Sequence, residues 1–332
     1  MRSRWMTIGI TFAALMLMLP VVALAQTSRV EGMALQGDYI KDYTGIYTYP
    51  SCLSTVGNLM YAELGSSATT VSDRAVGGVM DKLFDGKFGT WGIHLRQTTP
   101  DLGQGDALSS AGIGARGSDP NSNSNEAFDL MWGRKSGTST LGVRVDRSYY
   151  KNKLETVGVT TNLAFDPASP PGNMGRNIMA YGVGLGFEMN ADTHVDVAGQ
   201  LQSRTFENSV SAPVAKNEDN GSTTYQIAIR AMKQWKPNVM IVPVFKLTSY
   251  DLSRKNTVGV VATTFDNSMR SWQIGVSSDW TLGTNDLMVW GVTFAQNRIE
   301  EDEPLFPTLT VDTGIGKATV TETIMPQVFA AL

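Results

Sequence analysis

The sequence predicts an all-β protein, a transmembrane antiparallel up-and-down β-barrel with a plug segment at its N-terminus. Only 17% of its 332 residues are charged and 33 are glycine, whereas ordinary soluble domains carry about 25% charged residues. Apolar and polar residues alternate in segments separated by turn signals, as in strands with one apolar face. After residue 26 no apolar stretch approaches the roughly 20 residues of a spanning helix, so a membrane crossing must use strands.

Residues 1–25 predict a signal peptide. Arg2 and Arg4 precede an apolar run from Ile8 to Leu24, and the triplet that ends at Ala25 supplies the small-x-small pattern of a cleavage site. An uncleaved anchor is the alternative, which Pro20 inside the run disfavours. The mature chain is therefore expected to be exported. Its single cysteine cannot form an internal disulfide, and a structural role is expected for it.

Short and long connections alternate along the mature chain. The short ones are centred on residues 84–87, 135–138, 190–192, 236–238 and 283–285, and the long polar ones cover residues 98–125, 155–175, 209–221, 256–269 and 300–316. Bacterial outer-membrane barrels have short periplasmic turns and longer extracellular loops. This order predicts a barrel in the outer membrane, in contact with its lipid, over residues 58–332.

Twelve strands are expected, or fourteen if the chain is truncated at its C-terminus. In a typical strand Trp91, Ile93 and Leu95 alternate with Gly92 and His94. A soluble sandwich alternates as well, so we use the aromatic residues near the short turns as the stronger sign. They predict the interfacial girdle of a membrane barrel: Phe88, Trp132, Phe187, Trp235 and Trp280.

The inward faces of the predicted strands carry charges of both signs, which argue against a pore selective for one sign of ion. The candidate lumen charges are His94, Arg96, Asp129, Arg144, Asp146, Glu188, Asp196, Arg230 and Lys246. We expect the three arginines to pair with Asp129, Asp146 and Asp196 and to hold the plug. Unrelated, solvated lumen charges and a weakly selective aqueous path remain the alternatives.

Two features predict irregular strands. Gly182, Gly184 and Gly186 leave three inward positions without side chains, where another backbone approaches, the strand bends, or large neighbours fill the space. Pro243 lies between apolar residues and predicts a broken ladder hydrogen bond, a bulge or a lateral opening.

Residues 26–57 lack a hairpin pattern, and the lumen is the expected place for them. The stretch from Gly37 to Ser51, with Tyr49-Pro50-Ser51 near its end, resembles the opening of the long-chain fatty-acid transporter superfamily of outer-membrane barrels, which has Asn-Pro-Ala there. The resemblance implies a barrel, commonly fourteen-stranded, that is closed by an N-terminal plug and passes hydrophobic small molecules. It places Asp42, Ile46 and Pro50 at the plug and entry.

The composition and motifs narrow the function. A formal net charge of −4 argues against a nucleic-acid partner. No catalytic motif and no metal-ligand spacing occur, so we expect no enzyme, no metal and no cofactor. The preferred function is uptake or passage of hydrophobic or other small solutes, with a hydrophobic small molecule as ligand. The alternatives are a non-transporting barrel that serves as surface adhesin or secretion scaffold, and a general diffusion porin.

Overall fold

The computed structural model describes eleven ranges of the chain: residues 37–39, 43–63, 75–81, 83–96, 126–154, 172–211, 214–219, 221–258, 260–282, 287–304 and 315–331. The predicted signal peptide (1–25) and the central part of most long connections lie outside these ranges. No helix in these ranges is long and apolar enough to cross a membrane.

The described residues form one sheet of thirteen antiparallel strands. The strands are β1 (Leu59–Glu63), β2 (Ala75–Met80), β3 (Thr90–Arg96), β4 (Glu126–Ser136), β5 (Ser139–Leu154), β6 (Gly172–Asn190), β7 (Thr193–Ser211), β8 (Val214–Asp219), β9 (Ser222–Lys236), β10 (Val239–Val258), β11 (Val261–Thr281), β12 (Leu287–Pro304) and β13 (Ile315–Ala331). Each strand pairs with its neighbour in the chain, except where β8 and β9 divide one position. The predicted all-β, up-and-down arrangement is confirmed.

The sheet has twelve strand positions, as predicted, because β8 and β9 together occupy one of them. The C-terminal part of β7, from Glu207 to Ser211, pairs with β8, and its N-terminal part, from Thr193 to Arg204, pairs with β9. Gly221 lies between β8 and β9, and its φ of 102° belongs to the left-handed region that favours glycine.

The sheet is not closed into a complete barrel in the described residues. There, β1 pairs only with β2 and β13 only with β12. The first strand offers five residues as an edge, whereas the last strand has seventeen. The predicted closure is therefore absent from the described part of the chain, since the two edges are not hydrogen-bonded to each other.

Two of the predicted long connections are largely strand. Residues 209–221 contain the end of β7 and all of β8, and the hairpin of β10 and β11 continues to the pair Val258↔Val261. These extensions carry polar residues on both faces and only scattered apolar ones, so the regular apolar alternation that indicates a strand is missing from them. Cross-strand pairs such as Ser253 Oγ to Asp266 Oδ1, at 2.6 Å, accompany the backbone ladder there.

The two faces of the sheet are inverted relative to a water-soluble protein. Many of the predicted apolar positions are exposed, among them Phe245 at 38% and Val183 at 50%, and others such as Val143 are half-buried. The alternating polar positions are buried, and Asp129 and Asp196 are both 0% exposed. A contiguous apolar surface of this kind needs an apolar surrounding.

The N-terminal segment packs against the buried face. It consists of the 3₁₀ helices Gly37–Tyr39, Tyr43–Tyr47 and Pro50–Cys52 and the single α-helical turn α1 (Leu53–Val56). Leu53 lies against Gly92 and Gly133 on β3 and β4, whereas the Tyr39 hydroxyl lies 2.7 Å from Thr293 Oγ1 on β12. Because these strands are far apart in the sheet order, the sheet must curve around the segment.

Candidate functional site

The candidate site is the interface between residues 37–57 and the buried face of the sheet, here called the plug–wall interface. One part of it is centred on Arg230 of β9, which is 1% exposed. Its Nε lies 3.0 Å from Asp196 Oδ2 on β7, and its Nη1 donates to the Asp38 carbonyl at 3.1 Å. Its guanidinium lies 4.4 Å from the ring centroid of Tyr49, a cation–π distance. One wall arginine thus joins two stretches of the N-terminal segment.

Residues of the third 3₁₀ helix complete the surroundings of this ion pair. Ser51 Oγ donates to Asp196 Oδ1 at 2.8 Å, and Arg230 Nη2 lies 2.8 Å from Cys52 Sγ. Pro50 occupies the first turn, where a missing N–H is tolerated. Burial raises the pKa of the Cys52 thiol to about 11 although Arg230 acts in the opposite direction. The thiol is therefore protonated and unreactive at neutral pH.

The contacts of Asp196 do not form a nucleophilic triad. His194 Nε2 lies 3.0 Å from Asp196 Oδ1, the same carboxylate oxygen that accepts from Ser51. In a hydrolase the histidine takes the proton of the nucleophile and the acid orients the histidine. Here the acid lies between the two other groups, and Ser51 is 1% exposed. The arrangement suits packing of the plug rather than attack on a substrate.

A second part of the interface is centred on Arg144 of β5. Its Nε and Nη2 lie 2.8 and 2.6 Å from Asp129 Oδ1, and its Nη2 also lies 2.6 Å from Asp146 Oδ2. Its Nη1 donates to the Tyr47 carbonyl at 3.1 Å. His94 Nδ1 lies 3.2 Å from Asp129 Oδ2 and 2.8 Å from the Tyr47 hydroxyl. Burying these charges is tolerable because each has a partner.

Two further wall residues anchor the segment. Gln200 of β7 donates through Nε2 to the carbonyls of Tyr47 and Thr48, at 3.0 and 3.2 Å. Lys246 of β10 forms a salt bridge with Asp38. A wall strand on each side of β9 therefore holds a different turn of the segment.

The plug backbone approaches the wall most closely at a glycine pair. Gly142 and Gly184 lie directly opposite each other on β5 and β6. A Cβ added to Gly142 would lie 2.0 Å from the Pro50 carbonyl oxygen, and one added to Gly184 would lie 2.7 Å from the Ser51 nitrogen. Both distances are shorter than a van der Waals contact, so only glycine at these two positions lets the plug backbone lie this close to the wall.

The other two glycines of the predicted ladder have different surroundings. At Gly182 an added Cβ would be at ordinary contact distance, 3.5 Å, from Pro50 Cγ and from Arg144 Cβ. At Gly186 it would lie 2.2 Å from Thr140 Oγ1 and 3.0 Å from Asp196 Oδ1. Backbone approach therefore occurs at Gly184, and neighbouring side chains fill the space at Gly186.

The structure places the predicted plug and lumen residues as follows. Ile46, 1% exposed, and Pro50 are buried in the plug–wall interface. His94, Asp129, Arg144 and Asp146 meet at one cluster, Asp196 and Arg230 at another, and Lys246 at Asp38. Asp42 lies outside the described residues, and so does the side chain of Arg96, whose backbone ends β3.

Glu188 of the predicted lumen set lies apart from the two buried clusters. It lies near the end of β6 beside the short turn, exposed, with Oε1 2.5 Å from Lys135 Nζ. Its position has the inward parity, but a register irregularity lies between Glu188 and Asn190. The strand has already left the buried part of the sheet at this point, so the carboxylate pairs at the rim.

Pro243 interrupts one ladder without producing a bulge. On the β9 side the register continues from Ile241↔Lys233 to Val244↔Arg230 with no shift, although the pairs between them are missing. On the β11 side Pro243 pairs with Val276 in an unbroken ladder. The missing N–H of proline explains the local loss of pairing. Of the three predicted alternatives, the described register shows the broken ladder bond on the β9 side and no bulge at Pro243, and the lateral opening stays a prediction.

The predicted girdle residues lie near the short turns. Phe88 is 58% exposed, Phe187 36% and Trp235 64%, whereas Trp132 and Trp280 are half-buried. The indole nitrogens of the two half-buried tryptophans donate to the Phe88 carbonyl, at 2.5 Å, and to Ser278 Oγ, at 2.8 Å. At both positions the tryptophan ring is apolar and its single polar N–H group has a hydrogen-bond acceptor.

Sequence reasoning did not identify several residues that form the interface. Tyr47, Ser51, Cys52 and Gln200 carried no signal, because the partners that join the segment to β5, β7 and β9 lie 97 to 178 positions away in the chain. Gly142 did carry a sequence signal, because it occupies an inward position of β5 in the same way as the glycines of β6.

Comparisons with known proteins show no family membership. No family model matches the chain, and no curated protein matches it. One similar solved structure is the ferric yersiniabactin uptake receptor FyuA from Yersinia pestis, with 9% sequence identity over 78% of this chain and 41% of that chain and a TM-score of 0.45. Another is the ferric preacinetobactin receptor BauA from Acinetobacter baumannii, with 10% identity over 77% of this chain and 42% of that chain and a TM-score of 0.42. The chain spans about two fifths of each receptor, and neither is described as a fatty-acid transporter. TM-scores below 0.5 carry no functional conclusion.

Proposed function

We propose that the chain is an outer-membrane barrel for the passage of small solutes, hydrophobic ones among them, and that its N-terminal segment closes the lumen in the resting state. The observation that carries the proposal is the inversion of the sheet: apolar side chains face outward and paired charges face inward. Lipid is the surrounding in which such an outer face is stable. The short turns, with their exposed aromatic residues, would face the periplasm.

The plug contacts support a closed resting state rather than an open porin. The segment fills the space in front of β5, β6 and β7, where its backbone touches the bare wall at Gly142 and Gly184. Arg144 and Arg230 tie it to buried carboxylates. Passage of a solute therefore requires that some of these contacts break. We propose no enzymatic role, since the Asp196 cluster lacks the order of a triad.

A non-transporting barrel is the second candidate function. The lumen around Arg144 is packed with paired charges, which is the arrangement that a permanently filled scaffold or adhesin would have. A transporter would instead present a continuous apolar path once the plug moves. The fatty-acid-transporter resemblance of the segment around Pro50 favours transport, and the filled charge cluster favours the scaffold.

Single-channel conductance in planar bilayers separates these functions. The refolded mature protein is compared with a variant that lacks residues 26–56, after both have shown the heat-modifiable migration of a folded barrel. A nearly silent parent and a large steady conductance after deletion are the result expected of a plugged transporter. Steady conductance of the parent would indicate a porin, and silence of both proteins would favour the scaffold.

A further inference from the structure

On the outer face, β9 to β12 form an apolar groove beside the short turn between β9 and β10. Its volume is about 290 Å³, at the lower end of ligand-sized cavities. Trp235, Trp280 and Trp290 form its walls, Val239 and Ser278 its floor, and Lys236 its turn end. Trp235 is 64% and Trp290 49% exposed, so the groove opens toward the surroundings of the sheet.

The floor of the groove is formed by the strands of the wall. Ser278 pairs with Ile241 on one side and with Trp290 on the other, so a small residue lies between two large ones in one row of the sheet. The Trp280 indole donates to Ser278 Oγ at 2.8 Å, which fixes the ring at the end of the gap. The floor is thereby closed, as Ser278 is only 7% exposed.

Two lysines without a carboxylate partner flank this groove. Lys233 has the outward parity of Tyr225 and Trp235 and pairs with Ile241, and Lys236 lines the groove at the turn. Both are exposed, and neither forms an ion pair with an acidic group of the described residues. An ammonium on a lipid-facing wall is costly unless it reaches the headgroup level or meets an anion.

We propose that this groove is a specific site for one anionic phospholipid of the leaflet next to the short turns, with an acyl chain between the tryptophans and the phosphate on Lys233 and Lys236. The occupant follows from charge complementarity: the apolar groove has Lys236 at its turn end and Lys233 beside Ile241 of its lining, in the aromatic zone where phosphate groups lie. The inference rests on the proposed membrane location but not on transport.

Native mass spectrometry tests the site on the full mature chain refolded in mixed micelles with phosphatidylglycerol or phosphatidylethanolamine. We expect one phosphatidylglycerol per chain to be retained in preference to phosphatidylethanolamine. A lysine near a membrane surface contributes about a fivefold preference for an anionic lipid. Lys233→Gln and Lys236→Gln should each lower the retention about fivefold, whereas Lys87→Gln, at a different short turn, should not change it.

Variants that fill the groove with a larger side chain provide the second part of the test. Ser278→Leu should abolish retention of the lipid, whereas Gly199→Leu, which adds outward bulk where nothing lies within 4 Å, should preserve it. The assignment would be overturned if lipid retention were unchanged in both lysine variants, if it persisted in Ser278→Leu, or if a free fatty acid were retained more strongly than phosphatidylglycerol. The heat-modifiable migration of each variant is recorded first: failure of the parent to fold in lipid contradicts the proposed membrane location, whereas a folded parent without bound lipid contradicts only this inference.

Discussion

Arg230 and Asp196 lie directly opposite each other on neighbouring strands, and the plug covers the salt bridge that they form. The register pairs the two residues, their Nε and Oδ2 atoms are 3.0 Å apart, and both are at most 1% exposed. A buried ion pair of this kind must be fully hydrogen-bonded to be tolerated. Further partners are supplied by Asp38, Ser51 and Cys52 of the plug and by His194 of β7. The wall and the plug therefore depend on each other.

Arg230→Gln should destabilise the folded protein by about 3–5 kcal/mol, because it leaves Asp196 buried without its cation. Urea unfolding in lipid vesicles, followed by tryptophan fluorescence, measures the change. Arg298→Gln is the matched control, since it breaks an exposed pair with Glu300 that is worth about 0–1 kcal/mol.

The companion variant Asp196→Asn separates charge from packing. In the double variant with Arg230→Gln no buried charge remains uncompensated, so part of the lost stability should return. Strictly additive losses would contradict a direct energetic coupling between the two residues.

Gly142→Ala should displace the plug and increase conductance in planar bilayers. Its Cβ would lie 2.0 Å from the Pro50 carbonyl oxygen, so the third 3₁₀ helix must move. Gly199→Ala adds the same methyl group at an outward position with nothing within 4 Å and should leave the conductance unchanged. If both variants were as silent as the parent, the backbone contact at Gly142 would not control closure.

The strands and their faces could be predicted because a strand repeats every two residues, and that period is visible without knowledge of partners. It placed Asp129, Arg144 and Asp146 on one face, and these residues do meet. Which charges contact each other depends also on register and on strand ends. Glu188 has the predicted parity but lies at the exposed end of its strand, so it pairs with Lys135 and does not join the buried charge clusters.

The plug contacts could not be predicted in detail, because no local rule determines where an irregular segment binds inside a sheet. The resemblance around Pro50 indicated a plug but not its partners. The pair Gly142↔Gly184 was the available signal, since two bare inward positions on adjacent strands leave space for another backbone. Whether the sheet closes could not be predicted either, because closure depends on how the two edge strands meet and not on the residue pattern within a strand.

Ile229→Lys should cost about 2–4 kcal/mol of stability in lipid vesicles, because the position lies outward near the middle of the apolar band. Met189→Lys, next to a short turn, should cost at most about 1 kcal/mol. Urea titration of both variants measures the difference. Equal tolerance of the two lysines would contradict a lipid-facing outer surface and, with it, the proposed location.

Cys52 is the single cysteine of the chain, so its alkylation reports directly on the plug. Burial raises the pKa of this thiol from 9.0 to about 11, so at a given pH below 9 the folded protein holds about a hundredfold less thiolate than the unfolded chain. Iodoacetamide should therefore react slowly with the folded protein, and the rate should rise about tenfold per pH unit up to about pH 11 instead of levelling off near 9. Gly142→Ala should accelerate the reaction at pH 8, whereas Gly199→Ala should not. Labelling of the folded parent as fast as that of the urea-unfolded chain would mean that the segment from Pro50 to Cys52 is not held against the wall.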